Sequence, residues 1–161
     1  MSGTEVLPGQ PLEGQEIGTI GMKIEVVALP VSDIDRAKAF YERLGWRLDA
    51  DFLLAGMRVV QFTPPQSECS IAFGEGVTTA EPGSVERLET VVSDIEAARE
   101  DLISRGVEVG DYFHRGESGL EPGLDPERAS YNSFATFSDP DGNSFLLQEI
   151  SERLAGRVWE D

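Results

Sequence analysis

Few residues of this chain are suited to chemistry. Its one histidine, His114, lies in the segment DYFHRGESGLEPGLDPERASY from Asp111 to Tyr131, among Arg115, Glu117, Glu121, Asp125, Arg128 and Tyr131. An imidazole that titrates near neutral pH beside carboxylates can shuttle a proton, which makes His114 the candidate catalytic residue. The same composition also describes an ordinary polar loop. Arg87 and Glu89 stand two residues apart in an alternating stretch, and Gln148 ends another. At that spacing the two charges share one face of a strand and can meet the same ligand.

Charge narrows the partners. The chain of 161 residues carries 30 acidic and 13 basic side chains, a formal net charge of −17. Phosphate backbones and anionic lipid surfaces bear the same sign, so neither nucleic acid nor membrane is the expected partner. Cys69 is the sole cysteine, which forbids an internal disulfide and reads as a small apolar filler. The first twenty residues lack a basic region followed by an apolar one, and no apolar run approaches a membrane span. A cytoplasmic protein is expected.

The elements that must position these residues are written twice. Val31 to Trp46 reads VSDIDRAKAFYERLGW, and Val92 to Val107 reads VSDIEAAREDLISRGV, sixty-one residues further on with no gap. In the first copy Ser32 and Asp35 have capping-box spacing. Ile34, Ala37, Tyr41 and Leu44 trace one helical face, and Gly45 ends the helix. In the second, Ser93 and Glu96 cap, Ile95, Ala98 and Leu102 form the face, and Gly106 ends it. Phe40, Tyr41 and Trp46 are expected to pack. Alternating stretches precede each helix, at Ile24 to Val31 and Arg87 to Val92. Strand-like segments follow, at Arg47 to Leu53 and Val107 to Phe113.

A second pair of segments completes the unit. Val59 to Phe73 aligns with Phe134 to Gln148 as strand, turn, strand, with Thr63-Pro64-Pro65 over Ser138-Asp139-Pro140 and a turn signal at Asp141-Gly142. This offset is seventy-five, so about fourteen extra residues fall between Gly110 and Ser133 of the second copy. The fold class is therefore α+β, two tandem βαβββ modules. Residues 22–74 form the first and 85–150 the second, with an inserted loop at 111–131 and a linker at 75–84. Residues 1–21 read as a flexible extension. The tail at 151–161 reads as a short amphipathic turn through Leu154 and Trp159.

With VSDIDRAKAFYERLGW in the first half and SDPDGN near the end, the doubled pattern resembles the vicinal oxygen chelate superfamily of glyoxalases, bleomycin-resistance proteins and extradiol dioxygenases. The resemblance covers roughly Met22 to Glu149. It implies that the two modules curl their sheets into a half-open, barrel-like wall around a cavity, and that the chain forms a homodimer. It also implies a divalent metal held by His and Glu at four positions. Carried onto this sequence, these fall on Val26, Ile71, Arg87 and Leu146. Valine, isoleucine and leucine have no donor atoms and arginine is a permanent cation, so no metal and no other cofactor is expected there.

Alternation along the strands then fills the cavity. If Val27, Leu29 and Val31 face the helices, the cavity receives Val26 and Ala28, with Arg87, Glu89 and Val91 in the second module. The last strands contribute Cys69, Ile71 and Phe73, and Ser144, Leu146 and Gln148. The expected ligand-binding residues are Arg87, Glu89, Gln148, Tyr131, Val26, Ile71 and Leu146, a mostly apolar pocket for a small organic molecule or secondary metabolite. Arg87 and Glu89 pairing at a strand end beside solvent, or beneath a dimer interface, is the competing arrangement. Two further functions stay open: a metal-independent enzyme using His114 and carboxylates, and a metal-dependent lyase or dioxygenase with unorthodox ligands such as His114, Glu89 and Glu117.

Overall fold

The computed structural model describes residues 14, 16 and 18–153. Most of the N-terminal extension, and the turn expected through Leu154 and Trp159, lie outside the described residues. The first half of the chain forms β1 (Val26–Ala28), α1 (Ile34–Arg43), β2 (Arg47–Leu54), β3 (Met57–Thr63) and β4 (Ser70–Gly74), a sheet in the order β1-β4-β3-β2. The second half forms β5 (Leu88–Val92), α2 (Ile95–Ser104), β6 (Phe113–Gly116), β7 (Gly119–Pro122), β8 (Phe134–Ser138) and β9 (Ser144–Glu149), in the order β5-β9-β8-β6-β7. In each sheet the first strand runs parallel to the last, with Val27 opposite Ile71 and Leu88 opposite Phe145. The strands that open the two copies are thus equivalent, and neither sheet closes on itself.

Both helices form where the repeat places them, but each cap sits one residue later than the serine. Asp33 accepts from the Arg36 amide and Asp94 from the Ala97 amide. A carboxylate at the positive end of a helix satisfies an otherwise orphaned N–H and favours the dipole as well, so aspartate displaces serine from the role. Ser32 is thereby free to bond elsewhere, and its hydroxyl donates to Asp141. At the other ends Gly45 and Gly106 take φ of 77° and 81°, with the amides of Trp46 and Val107 reaching back to the carbonyls of Tyr41 and Leu102.

One core lies on the helix-bearing side of both sheets. Tyr41 is its centre, with its ring against Phe40, Trp46, Phe62, Phe73 and Phe145, so the first helix packs on a strand of the second sheet. Trp46 meets Phe145 edge-on, as the packing expectation for these aromatics requires. Ile95, Leu102, Ala135, Phe137 and Leu147 complete the cluster from the second half. The opposite faces of the two sheets point outward.

Three segments differ from expectation. The strand placed at Val107 to Phe113 shrinks to one bridge, Val109 with Phe137, and β6 begins only at Phe113. Arg99 donates to the carbonyls of Val109 and Gly110, replacing the partners that a continued ladder would have supplied. The inserted loop contains a β-hairpin, in which β6 and β7 extend the second sheet to five strands. Finally, the last strands are offset by seventy-four rather than seventy-five. Phe62 pairs with Ile71 whereas Phe137 pairs with Phe145, because the turn before β4 is one residue longer than the turn before β9.

Candidate functional site

A one-residue slip turns a strand over, and that decides which expected site residues meet. Ile71 is 3% exposed in the core with Phe62 and Phe73, so it faces the helices rather than the open side. The residue of β4 equivalent to Leu146 is Ala72, opposite Ala28 as Leu146 is opposite Glu89. In β9 the expected alternation holds: Phe145 and Leu147 join the core while Leu146 does not.

On the open face of the second sheet lies a cleft of about 540 Å³. Its floor is apolar: Phe134 and Leu146 from the sheet, and Phe113 from β6, whose ring stacks on Phe134 with centroids 5.3 Å apart. Thr136 and Ser144 supply hydroxyls, Leu120 forms an apolar lip, and Glu86, Arg87 and Arg115 bring charge to the walls. Arg87 holds φ of 60°, an uncommon conformation for a non-glycine residue, and the Ser144 hydroxyl accepts its N–H at 2.7 Å. Its guanidinium lies 3.5 Å from Glu89, both side chains more than half exposed, so this pair is soft and solvent-screened. Gly83, with φ of 80°, lets the linker press on the Asp141 carbonyl, where any β-carbon would collide at 2.0 Å.

The structure brings Arg87 and Leu146 to this cleft, with Glu89 beside them, but not the rest. Gln148 is nearly buried and its amide donates to the Tyr131 carbonyl at 3.0 Å, so it holds the inserted segment instead of offering itself to a ligand. Tyr131, at φ of 74°, donates its backbone N–H to the Glu149 carbonyl and is absent from the cleft lining. Val26 belongs to the first sheet and also stands outside the lining. His114 sits between Phe113 and Arg115 on β6, so pleating turns its ring to the opposite face. There it is 7% exposed. Its Nδ1 lies 2.8 Å from the Gly123 carbonyl, which can only accept, and its Nε2 lies 3.4 Å from the Glu121 carboxylate.

Sequence reasoning missed Phe113, Arg115, Phe134 and Thr136. The signal was available in FHRG, where placing His114 on one face puts Phe113 and Arg115 together on the other.

The four positions that a metal would need are Val26, Ala72, Arg87 and Leu146, and they do not fit a divalent ion: none carries an anionic or imidazole donor. The unorthodox set His114, Glu89 and Glu117 does not converge either. Among the described residues no three His, Cys, Asp or Glu side chains are grouped to hold a metal. Cys69 is a free thiol, and burial, followed by the charge of Glu25, pushes it above its ordinary pKa, away from a reactive thiolate.

A family model, described as the glyoxalase/bleomycin resistance protein/dioxygenase superfamily, matches residues 23–147. The chain belongs to that superfamily. Among solved structures, TnmS3, an antibiotic binding protein from Streptomyces sp. CB03234, is 31% identical over 84% of this chain and 100% of its own, with a TM-score of 0.65. A glyoxalase/bleomycin resistance protein from the same organism is 31% identical over 79% of this chain and 100% of its own, at 0.61. A superfamily member from Sphaerobacter thermophilus is 29% identical over 80% of this chain and 97% of its own, at 0.58. No curated protein matches the chain. Within the superfamily the SDPDGN motif has a structural part to play here. Asp139 Oδ1 accepts the backbone N–H groups of Asp141, Gly142 and Asn143, and its Oδ2 accepts from Tyr41 and Asn143.

Proposed function

We propose that this protein binds a small organic molecule of the antibiotic or secondary-metabolite class in the cleft of its second sheet, without a metal. The observation that carries the reading is Leu146. At the position where superfamily resemblance calls for a ligating glutamate, the cleft floor has an apolar side chain, joined by Phe113 and Phe134. Such a floor desolvates a ligand and gives a metal ion nothing to bind. Similarity to an antibiotic binding protein supports the same reading.

The open face of the first sheet presents Val26, Phe52, Leu54 and Met57, each between 39% and 59% exposed. Exposed apolar faces of this kind are covered in assemblies, and a homodimer would cover them and wall the cleft. The free thiol and the strongly acidic surface suit a cytoplasmic protein with neither nucleic acid nor membrane as partner. Among the described residues no helix is long and apolar enough to cross a membrane.

Isothermal titration of chelator-treated protein against a panel of antibiotics tests the reading. Binding at micromolar Kd is expected, lost in a Thr136→Trp variant that fills the cleft from an exposed strand position without altering the core. Replacing His114 by alanine leaves binding within about twofold, less than 0.5 kcal/mol. If binding requires added metal, or survives Thr136→Trp, the cleft is not the site. Turnover that collapses in the His114 variant would instead favour the acid-base enzyme.

A further inference from the structure

Arg115 stands out among the charges of the cleft. Arg87 is answered by Glu89, whereas Arg115 makes no ion pair with any described residue. In a chain with more than twice as many acids as bases, a cleft arginine without a carboxylate is a conspicuous vacancy in the charge pairing. The side chain is nevertheless placed. Its guanidinium carbon lies 5.0 Å from the Phe134 ring centre, and its backbone is clamped at both ends by Asn132, which accepts the Arg115 N–H and donates to the Arg115 carbonyl, each at 3.0 Å. Phe113 stacks on the same ring. The one carboxylate among the lining residues, Glu86, makes no ion pair and is exposed at the rim.

We propose that Arg115 and the half-buried Phe113 ring, both seated on the buried Phe134, select a planar aromatic ligand bearing an acidic group. The exposed part of the Phe113 ring takes the flat surface by stacking, with Phe134 as its backing. The guanidinium, a planar fork of donors, takes a carboxylate or an acidic phenol in charge-assisted hydrogen bonds. A ligand of this class would meet the positive group of the cleft despite the negative charge of the whole chain, so recognition at short range overrides the long-range field, which salt screens. The proposal rests on the cleft being the binding site.

A matched pair of fluorescent probes separates the two readings: the anthracenecarboxylate anion and the neutral anthracenemethanol, titrated against the full chain at neutral pH. The carboxylate should bind about tenfold more tightly, about 1.4 kcal/mol. Arg115→Gln should bring it down to the affinity of the alcohol while leaving the alcohol unchanged, and Arg115→Lys should keep part of the preference. Equal affinities for the two probes in the native chain, or a preference that persists in Arg115→Gln, overturn the acidic-ligand inference while the cleft stands. Failure of both probes to bind overturns the cleft reading with it.

Discussion

Asp139 is a buried carboxylate that makes no ion pair among the described residues. At 5% exposure it keeps its place through donors alone: three backbone N–H groups, the Asn143 amide and the Tyr41 hydroxyl. Burial and the neighbouring Asp139 charge hold the Tyr41 phenol far above its ordinary pKa, so it stays a donor at every accessible pH. Asn143 in turn donates to the Pro30 carbonyl and accepts from the Val85 amide, while Asp141 takes Ser32 and Arg36. The turn therefore joins the two halves of the chain. Asp139→Asn would point an amide N–H₂ at donors and leave at least one unpaired, a loss of about 3 kcal/mol. Urea unfolding should register it, while a near-native denaturation midpoint would mean that the network is dispensable.

At the scale of elements, the part of the inserted segment that follows the hairpin is held to β9 and α2 by a latch. Glu149 accepts two hydrogen bonds from Arg128, at 3.0 and 2.7 Å, and one from the Ile95 amide at the start of α2. Arg128 first, then the Ile95 amide, hold its carboxyl below the usual range near 4.5. A carboxyl whose pKa is depressed on folding contributes stability that is complete above its unfolded value and is lost as pH falls through the folded one. Glu149→Gln should thus cost about 2 kcal/mol at neutral pH, discounted because Arg128 is 39% exposed. The gap between native and variant should narrow as pH drops below about 4.5. Urea titrations at neutral and acid pH would measure it, and a pH-independent gap would rule out titration of this group as the cause.

Over the whole molecule, the shared core sits between the two sheets and both open faces turn outward. The second sheet carries the cleft, and the first carries exposed apolar side chains. Sedimentation at micromolar concentration should find a dimer, and Phe52→Glu, placed on that apolar face by its pairing with Val59, should shift the mass towards monomer without loss of fold. A native chain that sediments only as monomer would leave the cleft to work half-walled and would refute the assembly.

The repeat alone determined the two modules, because a period of 3.6 closed by glycine and alternating stretches beside it are local signals that survive any packing. It also determined that the metal positions lack donors, since residue chemistry does not depend on register closely enough to turn alanine or isoleucine into a ligand. Tertiary structure decided which face each side chain takes. One additional residue in the turn before β4 sent Ile71 into the core, and one step along β6 sent His114 to the far side while bringing Arg115 to Phe134. The physical reason is the two-residue period of a strand: a displacement too small to disturb the fold inverts every side chain beyond it, and the sequence carries no mark of that displacement until the partner strand is known.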